Sequence, residues 1–296
     1  MPATSANLGP GFDCLGLALN IYLRVTCATG GPRALRIEAN ESGIELDERN
    51  LVYRAMRLVF AATGRPLPGL DLRIDNSIPL SRGLGSSAAA ITAGLTLANA
   101  ILGEPFDRRR LLSIGLPLEG GDPKHGHPDN LAPALFGGLR VSSVAHSEVL
   151  SVPLALARPP RIALFVPEFI MSTAEARQVL PEAVSRADAV FNTTRSSLLV
   201  AALAAGEFGV LRWAMEDRLH QPYRSALFPA LPRLLEAALQ AGAAGAALSG
   251  AGSTVIALCE GDPAAVVAGL ERAAGELDVP GQGRVAEIDL EGAKLI

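Results

Sequence analysis

The chain reads PLSRGLGSSAAA from Pro79 to Ala90, and this stretch decides how the surrounding sequence is interpreted. The residues before it, 70–75, alternate between apolar and polar side chains, which is typical of a half-buried strand. The residues from 86 to 102 are rich in Ala, Leu and Ile, contain no Pro and have a helical apolar spacing. The pattern therefore predicts a strand, a glycine-serine loop and a helix, in that order.

Two glycines allow this loop to fold closely, because Gly83 and Gly85 carry no Cβ atom. We expect Ser86 and Ser87 to cap the helix that follows, which leaves several backbone N–H groups pointing outward. Outward N–H groups at a helix N-terminus form an anion site, and phosphate is the natural anion. The stretch is therefore predicted to be a phosphate-binding loop.

Other loops have a similar glycine spacing. A Walker A loop requires Gly-x4-Gly-Lys-Ser/Thr, and the absence of Lys from this loop excludes it. A loose dinucleotide fingerprint fits Gly83, Gly85 and Ala88, but it needs a second strand ending in Asp or Glu about 20 residues further on. A helix and the charged run 107–110 follow instead. On the loop alone, a plain glycine turn before a buried helix stays open.

The length of 296 residues allows one large domain or two of ordinary size. Two uncharged runs, 83–103 and 237–259, are long enough to cross a bilayer. Both contain Gly, Ser and Thr, and the second holds a Gly-x-Gly turn, so we predict that they are buried core elements. The first residues lack a basic region followed by an apolar core, so no secretory signal is expected.

Charge and cysteine usage restrict the partners and the compartment. The formal net charge of −4 argues against a nucleic-acid partner, and we expect no membrane partner. Cys14, Cys27 and Cys259 lie far apart and match no metal-binding spacing. We therefore predict free, buried thiols in a reducing cytoplasm.

The first residues, PATSANLGPGFD from Pro2 to Asp13, contain two glycines and two prolines, which predicts a defined loop rather than a helix. Asn7 and Asp13 are candidate functional residues in it, although turn formation alone would explain both. Further along, Asn50 precedes an amphipathic helix predicted over 51–63. It is expected to be the N-cap of that helix.

A polar segment extends from Glu119 to Asn130 and reads EGGDPKHGHPDN. Its two His residues suggest zinc, but the segment lacks the helical i, i+4 spacing of a zinc protease. A carboxylate such as Glu119 suits Mg²⁺ better, since that hard ion keeps waters and shares phosphate oxygens. A solvated loop is the alternative when the segment is taken alone.

The second half begins, after a proline-rich connection over 151–161, with a strand predicted at 161–166. A helix follows from Ser172 or Thr173. It contains Arg177, whose guanidinium could bind a carboxylate in bidentate fashion. Residues 246–258 are predicted as a strand, a glycine turn and a second strand.

Taken together, these segments resemble three motifs of the GHMP kinase superfamily, in their usual order. Residues 2–13 resemble the first motif in the form found in homoserine kinases, 79–90 the phosphate loop, and 248–254 (LSGAGST) the third motif. Three shorter segments also resemble homoserine-kinase sequences. They are HPDN (127–130), TAEAR (173–177) and HQPYR (220–224).

The resemblance implies an α+β fold with two domains. The first, 1–152, would be a ribosomal-protein-S5-like ATP-binding domain with a left-handed βαβ unit around the phosphate loop. The second, 153–296, would be a ferredoxin-like α+β domain that closes the cleft. The implied reaction is phosphorylation of the side-chain hydroxyl of L-homoserine by magnesium ATP, in threonine biosynthesis. A homodimer is possible.

The resemblance also implies roles for individual residues. Those expected to bind the nucleotide are Pro79, Leu80, Ser81, Arg82, Gly83, Leu84, Gly85, Ser86, Ser87, Ala88 and Asn50. Those expected to bind Mg²⁺ are Ser87 and Glu119. Those expected to surround the amino acid are Asn7, Asp13, His127, Thr173, Arg177 and Arg224, with the arginines on its carboxylate and Asp13 on its ammonium group. The expected catalytic residues are Asn7, Asp13 and Arg177.

Phosphoryl transfer depends on positioning and charge neutralisation, and nothing in the sequence requires a general base. We expect Asn7 to orient the hydroxyl, whose proton would leave through the γ-phosphate or water. Two departures from the family pattern occur. Members of the family usually have a short strand before the first motif, whereas here Met1 directly precedes that motif. We expect either that the strand is missing from this sequence or that the true start lies upstream. Ser253 replaces a common Pro, which the neighbouring glycines should tolerate.

Two alternative functions stay open at this point. One is another small-molecule kinase of the superfamily, acting on mevalonate, shikimate or a sugar. The other is a ligand sensor without catalytic activity.

Overall fold

The computed structural model describes residues 1–30, 34–119, 126–146 and 148–296, and its strands form two sheets. The strands are β1 (Pro2–Asn7), β2 (Gly11–Thr29), β3 (Leu35–Ala39), β4 (Leu70–Asn76), β5 (Leu139–Ala145), β6 (Glu148–Pro153), β7 (Arg161–Pro167), β8 (Gly245–Leu248), β9 (Val255–Cys259) and β10 (Gly281–Ala286). The helices are α1 (Leu51–Thr63), α2 (Ser86–Ile101), α3 (Arg108–Gly115), α4 (Leu131–Phe136), α5 (Thr173–Gln178), α6 (Arg186–Ala205), α7 (Leu211–Ala214), α8 (Gln221–Arg224), α9 (Leu231–Gln240) and α10 (Pro263–Glu276).

The first sheet has the strand order β3-β4-β2-β5-β6, with β1 paired to β2. β3 and β4 run parallel and are joined through α1, so they form a βαβ unit, whereas the other pairs are antiparallel. Helix α2 packs closely on α1 because Gly94 lies against the backbone of Val52, where a Cβ atom would come within 2.2 Å of the Val52 oxygen. The hand of the βαβ unit stays a prediction.

The second sheet has the antiparallel order β10-β7-β9-β8. The chain passes through β7, α9, β8, β9, α10 and β10, with helices α5–α8 between β7 and α9. This is the βαββαβ arrangement of a ferredoxin-like fold, as expected. The two-part α+β architecture predicted from the sequence is therefore confirmed.

The chain end beyond β10 returns to the first sheet. Ile288 forms a bridge with Leu19 of β2, and the N–H of Asp289 donates to the Ala18 carbonyl at 3.0 Å. The Arg108 guanidinium donates to two carbonyls of this tail. The expected boundary between 152 and 153 falls at the end of β6, and it stays a prediction.

Several expectations about local structure were wrong. Residues 2–13, expected to be a loop, form β1 and the start of β2, because their glycines and prolines lie at the turn while 2–7 pair with β2. Part of the expected connection over 151–161 belongs to β6. Ser86 and Ser87 make no capping hydrogen bond, since Gly85 is the N-cap of α2 in a left-handed conformation.

The uncharged runs behave as predicted. Most of α2 and the strands β8 and β9 belong to the buried core. Within the described residues, no helix has the length and apolar character needed to cross a membrane. The three thiols are free, but only Cys259 is buried, whereas Cys14 and Cys27 are half-exposed.

The predicted N-cap of α1 is confirmed at Asn50, a buried side chain. Its Oδ1 accepts from the N–H of Val52 at 2.9 Å and of Tyr53 at 3.4 Å, and its Nδ2 donates to the Glu45 carbonyl. We expect Asn50→Ala to lower the free energy of unfolding by about 1–2 kcal/mol, because the cap is lost. Urea denaturation measures this loss. Asn50→Ser keeps an N-cap acceptor without facing a second oxygen towards the Glu45 carbonyl and should lose less; equal losses in the Ala and Ser variants would contradict a capping role.

Candidate active site

The phosphate loop presents a continuous row of backbone donors. Within the described residues, none of the N–H groups from Gly83 to Ala88 donates to a carbonyl or a side chain. Gly83 and Gly85 have φ values of +73° and +64°, which L side chains rarely adopt. Successive free N–H groups at the start of a 16-residue helix form a concave anion site.

The two glycines of this loop are also required because neighbouring atoms leave no room for a Cβ atom. A Cβ atom on Gly85 would lie 1.8 Å from Thr4 Oγ1 of β1. A Cβ atom on Gly83 would lie 2.1 Å from the Ser249 carbonyl oxygen. The loop is thus packed between β1 and residues 249–254, which we call the β8–β9 turn.

The β8–β9 turn joins the other two motifs directly. Ser249 Oγ donates to the Gly83 carbonyl at 2.6 Å, and the Gly250 N–H donates to the Ala6 carbonyl at 3.0 Å. The Thr254 N–H donates to the Arg82 carbonyl at 3.1 Å. The three motifs recognised in the sequence therefore form one assembly around the loop.

The side chain of Arg82 was expected to contact the nucleotide, but in the structure it binds backbone carbonyls of the protein. Its Nε donates to the Pro167 carbonyl at 2.8 Å and its Nη2 to the Glu168 carbonyl at 2.6 Å. The guanidinium therefore connects the loop to the end of β7 and does not line the cleft. Pro79 does not line it either.

A cleft of about 190 Å³ opens in front of the loop N–H groups. It brings together predicted residues from several segments of the chain. They are Asn7, Asp13, Ser81, Gly83, Leu84, Gly85, Ser86, Ser87, Ala88, Glu119, His127, Thr173, Arg177 and Arg224. An adjoining pocket of about 180 Å³ shares Ser81, Ser86 and Ser87 with it and is lined by Asn50 and Leu80 together with apolar residues such as Ile44.

Asp13 and Arg177 form an ion pair at the cleft. Arg177 Nη2 lies 2.8 Å from Asp13 Oδ1, and Nη1 lies 3.3 Å from Oδ2, which is a bidentate geometry. His127 Nδ1 lies 3.2 Å from the same Oδ2. A negative and a positive group thus lie side by side at the cleft.

Asn7 is held by the protein at both ends of its amide. Its Nδ2 donates to the Gly250 carbonyl at 2.9 Å, and its Oδ1 accepts from the Asp13 N–H at 3.0 Å. Asn7 therefore connects the first motif to the β8–β9 turn. Orientation of a hydroxyl by Asn7 stays a prediction. The second N–H of Nδ2 or the second lone pair of Oδ1 would have to form that hydrogen bond.

Glu119 is a half-buried carboxylate that lines the cleft. Its Oε1 is buried and has no hydrogen-bond partner within the described residues. Burial raises the pKa of Glu119 to about 8, with a further rise from Asp129 and a counteracting decrease from Arg177. An unpartnered carboxylate oxygen that shares a cleft with Ser87 fits a hard cation such as Mg²⁺. The zinc alternative would require His125, which lies outside the described residues.

Because the pKa of Glu119 is raised by folding, its effect on the stability of the folded protein should depend on pH. In the unfolded chain this carboxyl ionises above about pH 4.5, whereas in the folded protein it stays protonated up to about pH 8. Its contribution therefore destabilises the fold increasingly as pH rises between these values. We expect Glu119→Gln, without metal or nucleotide, to have a higher thermal midpoint than the parent at pH 8 and an equal one near pH 5. A difference that does not change with pH would contradict this.

Asp129 and Asn130 are among the cleft residues that were not predicted as site residues. Asp129 is buried, and burial raises its pKa to about 7, with Asp13 adding to the rise. Asn130 accepts from Thr4 Oγ1 at 2.8 Å through its Oδ1 and so binds β1. Both follow His127 in the segment that resembles the family, so their position beside a predicted ligand residue was the available signal.

Comparison with known proteins finds two family models that match separate segments of the chain. A family model described as the GHMP kinases N terminal domain matches residues 50–138, and one described as GHMP kinases C terminal matches residues 199–276. The chain belongs to the GHMP kinase family.

The individual relatives show where the chain belongs within the GHMP kinase family. Homoserine kinase of Microchaete diplosiphon is 40% identical, over 99% of this chain and 95% of that protein. Homoserine kinase of Carboxydothermus hydrogenoformans is 46% identical, over 87% of this chain and 83% of that protein. The crystal structure of homoserine kinase from Cytophaga hutchinsonii has a TM-score of 0.90 at 28% identity, covering 100% of this chain and 95% of that one. Within the family, the chain groups with the homoserine kinases.

Proposed function

We propose that this protein transfers the γ-phosphoryl group of ATP to the side-chain hydroxyl of L-homoserine, giving O-phospho-L-homoserine for threonine biosynthesis. The observation that carries the proposal is the row of free N–H groups from Gly83 to Ala88, which faces a cleft that also contains the Asp13–Arg177 pair. A phosphate-binding row and a zwitterion-binding pair in one cleft match the two substrates of such a kinase.

The nucleotide is expected to extend over both pockets. The loop N–H groups would bind its phosphates, and the more apolar pocket beside Asn50 and Leu80 would hold its base and ribose. Ser87 and Glu119 would hold Mg²⁺. When bound, ATP would supply the phosphoryl group and Mg²⁺ would offset the charge on its oxygens.

The amino acid is expected to bind on the other side of the phosphates. Asp13 would bind its ammonium group, and Arg177 and Arg224 its carboxylate, while His127 and Thr173 line the same cleft. Mevalonate, shikimate and sugars lack an ammonium group and would not use the negative charge of Asp13. The paired charges therefore favour L-homoserine over those alternatives.

The protein is expected to position the hydroxyl rather than deprotonate it. Both oxygens of Asp13 already contact Arg177 or His127, which supports a binding role for this carboxylate rather than removal of the hydroxyl proton. Asn7 can orient the hydroxyl, and its proton would leave through the phosphoryl oxygens or water. The preorganised N–H row is then the main catalytic device of the chain itself.

The test is ADP release with L-homoserine, mevalonate, shikimate and galactose as separate acceptors, with Mg²⁺ present. We expect turnover with L-homoserine and at least about 100-fold lower kcat/KM with the others, a difference of about 3 kcal/mol. Phosphorylation of another acceptor in preference, or no turnover at all, would refute the proposal. A cytoplasmic location and a homodimer are proposed with the function, and size-exclusion chromatography tests the second.

A further inference from the structure

Arg224 is a buried arginine whose guanidinium is fixed on three sides. Its Nε donates to the Ala176 carbonyl at 3.1 Å, and its Nη1 donates to the Gly250 carbonyl at 3.0 Å and to His220 Nδ1 at 3.0 Å. Its Nη2 has no hydrogen-bond partner within the described residues, and Arg224 lines the cleft. One end of the guanidinium is therefore left for a ligand.

The partner of Arg224 on the protein side is His220, which is fully buried. His220 Nε2 lies 2.8 Å from the Gly9 carbonyl oxygen. A carbonyl can only accept and a guanidinium can only donate, so Nε2 carries the hydrogen and Nδ1 is bare. Burial also lowers the pKa of His220 to about 4, which keeps the ring neutral in ordinary conditions.

The position of this imidazole is itself fixed. Asp217 Oδ2 accepts from the N–H groups of His220 at 2.9 Å and Gln221 at 2.7 Å, at the start of α8. The ring stacks on Phe12, with centroids 5.0 Å apart and an angle of 21° between the planes. The backbone and both ring nitrogens of His220 are thus held before any ligand binds.

We propose that His220 is a positioning residue, whose neutral imidazole holds Arg224 so that Nη2 faces the cleft for the substrate carboxylate. The inference rests on the proposed function, because it needs an amino-acid substrate. Ordering a long, flexible arginine side chain costs conformational entropy. A guanidinium ordered in advance saves this cost when the substrate binds.

Two substitutions separate the two nitrogens of His220. In His220→Gln the amide nitrogen can replace Nε2 as the donor to Gly9, but no acceptor stays for Arg224. In His220→Asn the amide oxygen can replace Nδ1 as the acceptor for Arg224, but the donor to Gly9 is lost. The matched control is His146→Gln, at an exposed histidine.

We expect His220→Gln to raise the KM for L-homoserine by about 10- to 30-fold, the effect of about 1.4–2 kcal/mol. The KM for ATP and kcat should change by less than about 3-fold, and His220→Asn should recover most of the affinity for L-homoserine. A merely structural role would instead lower the activity of both variants without this split. Equal KM values for L-homoserine in all variants would overturn the proposal.

A parent protein that does not phosphorylate L-homoserine would refute the proposed function itself, whereas an active parent with an unaffected Gln variant would refute only the role of His220. Because the ring is buried, either variant could fail to fold. Nitrogen-15 NMR of the unmodified protein then decides the question. We expect a neutral ring with the proton on Nε2 at pH 7 and a shift of the Nδ1 resonance when L-homoserine is added. A cationic ring or the opposite tautomer would overturn the proposal.

Discussion

Glu119→Gln is expected to lower kcat with ATP and L-homoserine by about 100- to 1,000-fold, or about 3–4 kcal/mol of barrier. The parent carboxylate has a buried oxygen without a partner among the described residues, in the same cleft as Ser87 and the loop N–H groups. A neutral amide keeps the shape of this side chain but cannot neutralise a cation. The proposed magnesium site would therefore lose its charged protein ligand.

The measurement is kcat as a function of Mg²⁺ concentration at saturating ATP and L-homoserine. The variant should need far more Mg²⁺ for half-maximal activity, and high Mg²⁺ should restore part of the rate. Glu38→Gln is the matched control, because Glu38 is exposed on β3 and pairs with Arg36. Normal activity of Glu119→Gln at low Mg²⁺ would refute the assigned metal ligand.

Asp13→Asn is expected to raise the KM for L-homoserine by about 100-fold or more, with kcat lowered by less than about 10-fold. Asp13 pairs with Arg177 at 2.8 Å in a partly exposed setting, with 20% of the Asp13 side chain and 39% of the Arg177 side chain exposed, and loss of a hydrogen bond to a charged group costs about 1.5–3 kcal/mol. The substrate ammonium group would lose its only proposed anionic partner. The KM for ATP should stay nearly unchanged, since the loop N–H groups do not depend on this carboxylate.

The acceptor 4-hydroxybutanoate, which is L-homoserine without its ammonium group, tests the same assignment from the ligand side. The parent should prefer L-homoserine by about 100-fold in kcat/KM, and Asp13→Asn should lose most of this preference. Asp71→Asn is the matched control, because Asp71 pairs with Arg36 on the exposed side of β4. A large loss of kcat with unchanged affinity would instead identify Asp13 as a general base.

Local sequence patterns predicted several elements well. Helix α1 (51–63) has the predicted bounds and strand β7 (161–167) extends one residue beyond its predicted end, because a cap at Asn50 and a regular apolar pattern are local signals. The phosphate loop was also recognisable, since Gly83 and Gly85 are needed there for backbone conformation. Strand β1 was missed because its residues are small or polar, and they become a strand only through pairing with β2.

Except for Asp129, the charged residues that line the cleft could be named from the sequence, but their arrangement could not. The sequence contains Asp13, Arg177 and Arg224 in segments that resemble the family, and this was enough to expect a zwitterion site. It does not show that Asp13 and Arg177 form a bidentate pair, because 164 positions separate them in the chain. The same holds for Arg82, which connects the loop to the end of β7 instead of lining the cleft.

The sequence by itself determined the loop that can hold phosphate, the charges that can hold an amino acid and most of the regular elements, because each depends on neighbouring residues. Only the tertiary structure decided which backbone N–H groups stay free for a ligand and which side chains are already hydrogen-bonded within the protein. His220 is the clearest case, since its neutral state and its hold on Arg224 arise from burial against Phe12 and from the carbonyl of Gly9. Burial and contacts between distant segments are properties of the folded chain, and no local pattern encodes them.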